Sequence, residues 1–247
     1  YQYWVRGTKD NSYVAISGFN GGDIKIELPS IINEMQVYEI TDNAFLDETY
    51  LKQITMPDCI KYIGNNAFSG CTSLLSIEIP DNVETIGYGA FYNCLTLRSI
   101  TIPTHITEIK DYSFYNCNLL KSLKIPSNIT KIGKYAFANN SNLEAVVIPD
   151  SVAIIKESAF AGCNKITIYS AFNDLPSGWE IGWKPFATIV YWDVLDIGTY
   201  DSYSYLIKGN KNDKYIEITG YKEFFSIVYI PDEIDNIPVK VIGKKAF

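Results

Sequence analysis

Residues 74–96 read LLSIEIPDNVETIGYGAFYNCLT, and this stretch is one copy of a 23-residue repeat that covers most of the chain. The pair Ala90-Phe91 returns in every unit, with Ser113-Phe114 as the one variant. The phenylalanines of this series are Phe45, Phe68, Phe91, Phe114, Phe137 and Phe160. The unit is L-x-x-I-x-I-P-x-x-V-x-x-I-G-x-x-A-F-x-x-C-x-x. Because the copies follow one another without a gap, an internal repeat must govern the fold.

The alternation within each unit predicts a short strand. Ile77 and Ile79 alternate with Ser76 and Glu78, which is typical of a strand with one buried side. Pro80 ends the strand because proline has no amide proton to continue the ladder. One unit cannot bury its own apolar side, so the units must stack at the strand spacing of about 4.8 Å. The sequence therefore predicts a mainly β solenoid.

The pattern I-P-x-x-V-x-x-I-G-x-x-A-F-x-x-C, followed over residues 29–163, resembles the BspA-like leucine-rich repeats of bacterial surface proteins. The resemblance implies a right-handed leucine-rich-repeat coil with a parallel strand ladder. It also implies a secreted or surface-anchored protein that adheres to host, matrix or other cells. Departures from the pattern affect single turns, and they are Met56, Lys110, Ser113, Asn140 and Lys156.

A second and longer periodicity, a 202-residue offset, relates the two ends of the chain. Ile16-Ser17-Gly18-Phe19 matches Ile218-Thr219-Gly220-Tyr221, and Ala44-Phe45 matches Ala246-Phe247. We therefore predict a β opening module with an expanded first repeat over 1–45 and leucine-rich repeats over 46–163. A Trp-rich exit cap over 164–193, with Trp179, Trp183 and Trp192, is expected to cover the open end. Residues 194–247 would begin a second solenoid, so we interpret the chain as a piece of a longer protein with tandem arrays.

Four of the five cysteines occupy one slot of the repeat. They are Cys71, Cys94, Cys117 and Cys163, and Asn140 fills the remaining unit. Both residue types are small and can bond a neighbouring backbone group, which indicates a buried structural ladder in line with the phenylalanines. An occasional disulfide between coils stays open. Cys59 lies off this ladder, in a turn, as a candidate exposed thiol.

No arrangement of residues points to catalysis or to a cofactor. The single histidine, His105, occupies a variable turn slot with no nucleophile pattern beside it. The carboxylates fall at differing slots and do not converge as an acid/base pair would. Zinc is disfavoured because there is no close Cys-x-x-Cys pair. We therefore expect no enzyme activity, no metal and no cofactor.

The outward positions of the strands are the candidate partner-binding face. They are Lys52, Gln53, Thr55, Glu78, Arg98, Thr101, Lys121, Lys124 and Glu144. Across successive coils they would form one flat surface, in which Arg98, Lys121 and Lys124 make a positive patch. The alternative is plain solvent exposure, since every strand must direct some side chains outward.

The overall charge limits the partners. A net charge of −7 disfavours nucleic acid, whose phosphates need a basic face. No apolar stretch approaches the roughly 20 residues that span a bilayer, so we expect no direct membrane insertion. The leading hypothesis is a non-enzymatic, extracellular protein-binding module. A passive spacer in a long surface protein and a carbohydrate-binding module with exposed aromatic rings are the alternatives.

Overall fold

The computed structural model describes residues 1–19, 21–22, 24–186, 188–192, 194–200, 203–210, 212–222, 230–244 and 246–247. Each coil contributes one strand to a parallel ladder on the first side of the solenoid. This strand ladder consists of β3 (Lys25–Glu27), β6 (Gln53–Thr55), β8 (Ser76–Ile77), β10 (Ser99–Ile100), β12 (Ser122–Lys124), β14 (Ala145–Ile148), β16 (Thr167–Ser170) and β17 (Ile189–Tyr191). Ile54 pairs in register with Ile77, and Ile77 with Ile100, so equal repeat slots lie side by side. The predicted parallel-strand β solenoid is confirmed.

A second set of short strands forms another side of each coil. Its members are β2 (Tyr13–Gly18), β5 (Met35–Ile40), β7 (Tyr62–Ile63), β9 (Thr85–Ile86), β11 (Glu108–Ile109), β13 (Lys131–Ile132) and β15 (Ile154–Ile155). They also pair in parallel, as Ile40 with Ile63 and Ile63 with Ile86 show. Two antiparallel strands flank the opening of this ladder: β1 (Gln2–Arg6) pairs with β2, and β4 (Ile31–Ile32) pairs with β5.

The third side of each coil is a run of turns that carries the Ala-Phe motif. Two backbone positions per turn have positive φ, and both recur once in every coil. The first series is Asn43, Asn66, Gly89, Tyr112, Tyr135 and Ser158, and the second is Asp47, Gly70, Asn93, Asn116, Asn139 and Gly162. Asn, Asp and Gly tolerate this conformation, which explains their recurrence here. Tyr112 and Tyr135 adopt it although tyrosine does not tolerate it well, and both belong to a cluster of tyrosine rings on the turn side.

The phenylalanines of the turns form a continuous stack through the centre of the solenoid. From Phe45 to Phe160, neighbouring ring centroids are 5.1 to 5.4 Å apart and the ring planes agree within 12°. All six rings are almost completely buried. Backbone bonds join the same turns, for example from the Phe68 amide to the Ala90 carbonyl at 2.8 Å. The stack is therefore supported by both packing and hydrogen bonding.

Tryptophan rings close the stack at its far end. Trp183 takes the phenylalanine slot one coil after Phe160 and meets the Phe160 ring edge-on, with centroids 6.1 Å apart. Trp179 bridges Ile155 in the second ladder and packs against Trp183 at 4.7 Å. Since β16 and β17 prolong the strand ladder, the cap follows the path of the coils, with indole rings where phenylalanine would stand.

A five-stranded sheet follows the cap. It consists of β18 (Val194–Tyr200), β19 (Tyr203–Asn210), β20 (Asp213–Tyr221), β21 (Glu233–Ile234) and β22 (Ile237–Ile242). The strand order is β18-β19-β20-β22-β21, and Ile216 and Ile218 are buried in its own small core. The division of the chain at residues 45, 163 and 193 stays a prediction.

Replacing Phe91 by Ala should lower the free energy of unfolding by about 3–5 kcal/mol, because it leaves a ring-sized void between Phe68 and Phe114. The measurement is urea unfolding followed by circular dichroism. Tyr50→Ala is the control, since Tyr50 is exposed, and it should change stability by about 0.5 kcal/mol or less. Equal losses in the two variants would show that the stack does not hold the coils together.

Candidate functional site

The outward side chains of the strand ladder form three parallel columns, which we call the strand face. The first column contains Lys52, Leu75, Arg98, Lys121 and Glu144. The second contains Lys25, Gln53, Ser76, Ser99 and Ser122, and the third Glu27, Thr55, Glu78, Thr101 and Lys124. All of these side chains are exposed. The structure thus brings the nine predicted residues onto one surface, and their role in binding stays a prediction.

Charges on the strand face lie mainly in the two outer columns. The first column has three cations and Glu144, the third carries Glu27, Glu78 and Lys124, and the second column has serine at three positions after Lys25 and Gln53. A shallow depression lined by Gln53, Thr55, Ser76 and Glu78 lies on the side of the acidic column. A partner that fits this surface therefore needs its carboxylates over the first column.

The cations of the strand face differ from those elsewhere on the coils. Lys25, Lys52, Arg98 and Lys121 form no salt bridge within the described part of the chain. Four lysines of the other sides pair with an acid of the neighbouring coil, whereas Lys110 and Lys165 form no salt bridge within the described residues. These pairs are Lys61–Glu84, Lys131–Glu108, Lys134–Glu157 and Lys156–Glu180. The Glu84 carboxylate raises the pKa of Lys61, and Lys61 in turn lowers the pKa of Glu84.

Lys25 and Glu27 belong to the strand face although the repeat pattern did not identify them. Their strand β3 pairs with β6, so that Lys25 lies beside Gln53 and Glu27 beside Thr55. The sequence contains the pattern of an outward-facing strand here, because Lys25 and Glu27 alternate with Ile26 and Leu28 before Pro29. The step from Lys25 to Gln53 is longer than the regular repeat, and this difference concealed it.

The strand face is covered at its far end. Lys124 forms an ion pair with Asp196 of β18, and this strand lies against β14 and β16. Val147 occupies the slot of Lys124 one coil later and is buried. The next residues in this column, Tyr169 and Tyr191, stack at 5.4 Å. The open part of the strand face therefore runs from β3 to β12.

The cysteine slot supplies a hydrogen-bond donor to the phenylalanine stack. Each thiol donates to the phenylalanine carbonyl of the preceding coil, as Cys71 does to Phe45 at 3.1 Å and Cys117 to Phe91 at 3.2 Å. Asn140 replaces the thiol with its amide, which donates to the Phe114 carbonyl at 2.9 Å. All five cysteines, including the half-buried Cys59, are free thiols. Burial raises the pKa of Cys71, Cys117 and Cys163 to about 12, so these thiols are protonated and are not nucleophiles.

His105 has a structural partner in its turn. Its Nδ1 lies 2.6 Å from the Asp81 carbonyl of the preceding coil, which fixes the proton on that nitrogen. The same slot makes the same kind of contact elsewhere: the Asn82 amide donates to the Asp58 carbonyl at 2.9 Å. Among the described residues, no three His, Cys, Asp or Glu side chains are grouped as a metal site would require.

A tyrosine cluster on the turn side was missed by the sequence reasoning. Its members are Tyr88, Tyr92, Tyr112, Tyr115 and Tyr135. Tyr92 and Tyr115 stack at 4.8 Å, and Tyr112 and Tyr135 at 5.1 Å, while the other ring pairs are tilted. Tyr88 is exposed and the other four rings are half-buried. Trp179 and Trp183, by contrast, are buried in the cap.

Comparison with known proteins identifies the family of this solenoid. The family model described as the BspA type leucine rich repeat region matches residues 38–167 in six copies. The chain belongs to the BspA-type leucine-rich repeat family, whose members share a fold that is typically non-catalytic and that commonly mediates protein interactions. No curated protein matches the chain.

Solved leucine-rich repeat proteins share its fold. One from T. pallidum is 30% identical with a TM-score of 0.65, over 71% of this chain and 80% of that one. One from Bacteroides ovatus is 31% identical with a TM-score of 0.64, over 69% of this chain and 46% of that one. A leucine rich cell surface protein from Faecalibacterium prausnitzii is 19% identical with a TM-score of 0.39, over 67% of this chain and 92% of that one. The last likeness carries no argument about this chain.

Replacing Cys117 by Ser should alter how stability depends on pH. Burial raises the pKa of the folded thiol from about 9.0 to about 12, so above pH 9 only the unfolded chain releases the proton. Stability that is present below pH 9 is thus lost as the pH rises toward 12. The stability of the native protein minus that of Cys117→Ser, measured by urea unfolding, should fall by about 1.4 kcal/mol from pH 8 to pH 10.

Tyrosine ionisation is common to both proteins and cancels in this difference. A difference that stays constant between pH 8 and pH 10 would contradict the buried position of the Cys117 thiol. The serine hydroxyl keeps a donor for the Phe91 carbonyl, so Cys117→Ser should remain folded at pH 8.

Proposed function

We propose that this chain is a non-enzymatic recognition module of an extracellular or cell-surface protein, and that it binds a protein partner through the strand face. The partner is a host, matrix or cell-surface protein whose acidic side chains lie over the first column. The observation that carries this proposal is the set of exposed cations Lys25, Lys52, Arg98 and Lys121, which form no salt bridge within the described residues of a chain of net charge −7.

The arrangement of these cations supports recognition rather than simple solubility. Four of the lysines on the other sides of the coils are neutralised by acids one coil away. On the strand face the same step places cations beside cations, as with Arg98 and Lys121 in adjacent coils. Unpaired charges at fixed spacing steer an oppositely charged partner and set its orientation.

The rigidity of the ladder also supports this proposal. Paired strands hold the columns at fixed spacing, so the face binds without ordering a loop. Small side chains at Ser76, Ser99 and Ser122 leave the centre of the face low between two charged columns. A partner can therefore approach the backbone closely from β8 to β12.

The two alternatives have less support. A passive spacer would not require a group of neighbouring cations without salt bridges on the strand face. Carbohydrate binding needs exposed ring faces, but Trp179 and Trp183 are buried and four of the five rings of the tyrosine cluster are half-buried. The proposed location rests on the family resemblance. Among the described residues, no helix combines the length and the hydrophobicity needed to span a membrane.

Charge reversal at Arg98 and Lys121 should weaken partner binding by about tenfold or more without lowering the melting temperature. The two side chains are exposed, so their replacement by Glu breaks no salt bridge within the described residues. Binding is measured by surface plasmon resonance against a panel of immobilised matrix and host-cell surface proteins. Complexes of the native chain should also weaken as salt is raised.

The matched control reverses Lys9 and Lys222, two exposed lysines off the strand face, and gives the same change in net charge. Equal losses of affinity in both double variants would show that binding depends only on net charge. Unchanged binding by the Arg98/Lys121 variant would exclude the strand face as the binding surface. A native chain that binds no member of the panel would favour the spacer.

A further inference from the structure

The opening module and the terminal sheet are two copies of one structure, in which Val14 corresponds to Ile216. Strand β2 pairs with β5 as β20 pairs with β22: Val14 lies opposite Val37, and Ile216 opposite Val239. β1 pairs with β2 as β19 pairs with β20, and each outer strand has a register shift at the same place, after Gln2 and after Ser204. The left-handed positions also correspond, and they are Gly7 and Gly209, Asn33 and Asp235, and Glu34 and Asn236.

One strand breaks this equivalence. In the terminal sheet, β18 pairs antiparallel with the outer edge of β19, whereas β1 is the last strand of its sheet among the described residues. The exposures reflect this difference. Trp4 is 54% exposed, while its counterpart Leu206 is 6% exposed. All of β1 is exposed, although every residue before Arg6 has an aromatic, aliphatic or amide side chain.

The open apolar edge of β1 is able to pair with a further strand. Its backbone N–H and C=O groups can template another strand, and natural proteins usually protect such edges with lysine, proline or a covering segment. β1 contains neither lysine nor proline, and Arg6 at its end is its one charged residue. Edges of this type bind extended peptides by adding them to the sheet.

We propose that the edge of β1 binds an antiparallel strand of the β18 type, the strand that leaves the exit cap of an adjoining solenoid. The pairing of β18 with β19 defines the register. Ile197 lies opposite Leu206 and Gly198 opposite Tyr205. An incoming strand therefore places the residue corresponding to Ile197 opposite Trp4, and glycine opposite Tyr3.

The same strand shows how the addition would couple two arrays. β18 lies against β14 and β16 of the solenoid before it and pairs with β19 of the module after it. The ion pair between Asp196 and Lys124 joins it to the strand face. A β18-type strand on β1 would thus connect the opening module to a preceding array by backbone hydrogen bonds, as β18 connects the terminal sheet to this one.

The test uses the whole chain and a labelled peptide with the sequence of residues 193–200, DVLDIGTY. Fluorescence anisotropy should show saturable binding, and hydrogen exchange should show new protection of the β1 amides. Val5→Lys should weaken binding about tenfold or more, because lysine on an edge strand opposes pairing. Ile31→Lys is the matched control, since Ile31 is 56% exposed and Val5 is 55% exposed in the same module.

Each other result overturns the proposal. These results are no saturable binding up to about 1 mM peptide, equal binding of a scrambled peptide, and protection that appears away from β1. Equal weakening of peptide binding by Val5→Lys and by Ile31→Lys would also overturn the proposal. Dimerisation of the chain through β1 that excludes the peptide, seen by sedimentation, would assign the edge to a second copy.

Discussion

The stack of phenylalanine rings and the turns that carry it are the constraint on which the rest of the solenoid depends. Both strand ladders are interrupted once: β9 and β11 are not paired, nor are β10 and β12, although every residue from 85 to 132 is described. The turn side is continuous across the same coils. Phe91 and Phe114 stack at 5.4 Å within 3°, and the Phe91 amide donates to the Ser113 carbonyl at 2.8 Å. The coil that contains β10 and β11 is therefore joined to each neighbouring coil by the turns and by one paired ladder, β10 with β8 on one side and β11 with β13 on the other.

This constraint converts a period in sequence into columns in space. A ring in every coil fixes the rotation of each coil about the axis, so equal slots of successive repeats lie above one another. The cysteine slot completes the arrangement, because its donor joins each turn to the phenylalanine carbonyl of the coil before it. Asn140 shows that the slot requires a small donor rather than sulfur. The strand face inherits its columns from this buried geometry.

The periodic features could be predicted because a repeat carries its own contacts: the partner of Phe91 is another copy of Phe91. Features that join different parts of the chain could not. The ion pair from Lys124 to Asp196 joins two segments with no repeat relation, and it covers one end of the face. Lys25 was not predicted as part of the strand face because the first coil is longer than the coils that follow it. The tyrosine cluster was not predicted because Tyr112 and Tyr135 adopt positive φ, a conformation that tyrosine disfavours, where the other coils have Asn, Gly or Ser.

The charged residues on the different sides of a coil differ in whether they form ion pairs, and this difference is not a requirement of the fold. Surface ion pairs contribute little to stability, so the cross-coil pairs of the other sides are not needed to hold the coils. Their presence shows that the step of the repeat readily places an acid beside a lysine, as in Lys61–Glu84. The strand face has the same step and the same backbone, and Glu144 follows Lys121 in the first column, yet Arg98 and Lys121 form no salt bridge within the described residues. Neither the fold nor its stability requires this arrangement, and it is therefore the basis on which we propose an acidic partner for the strand face.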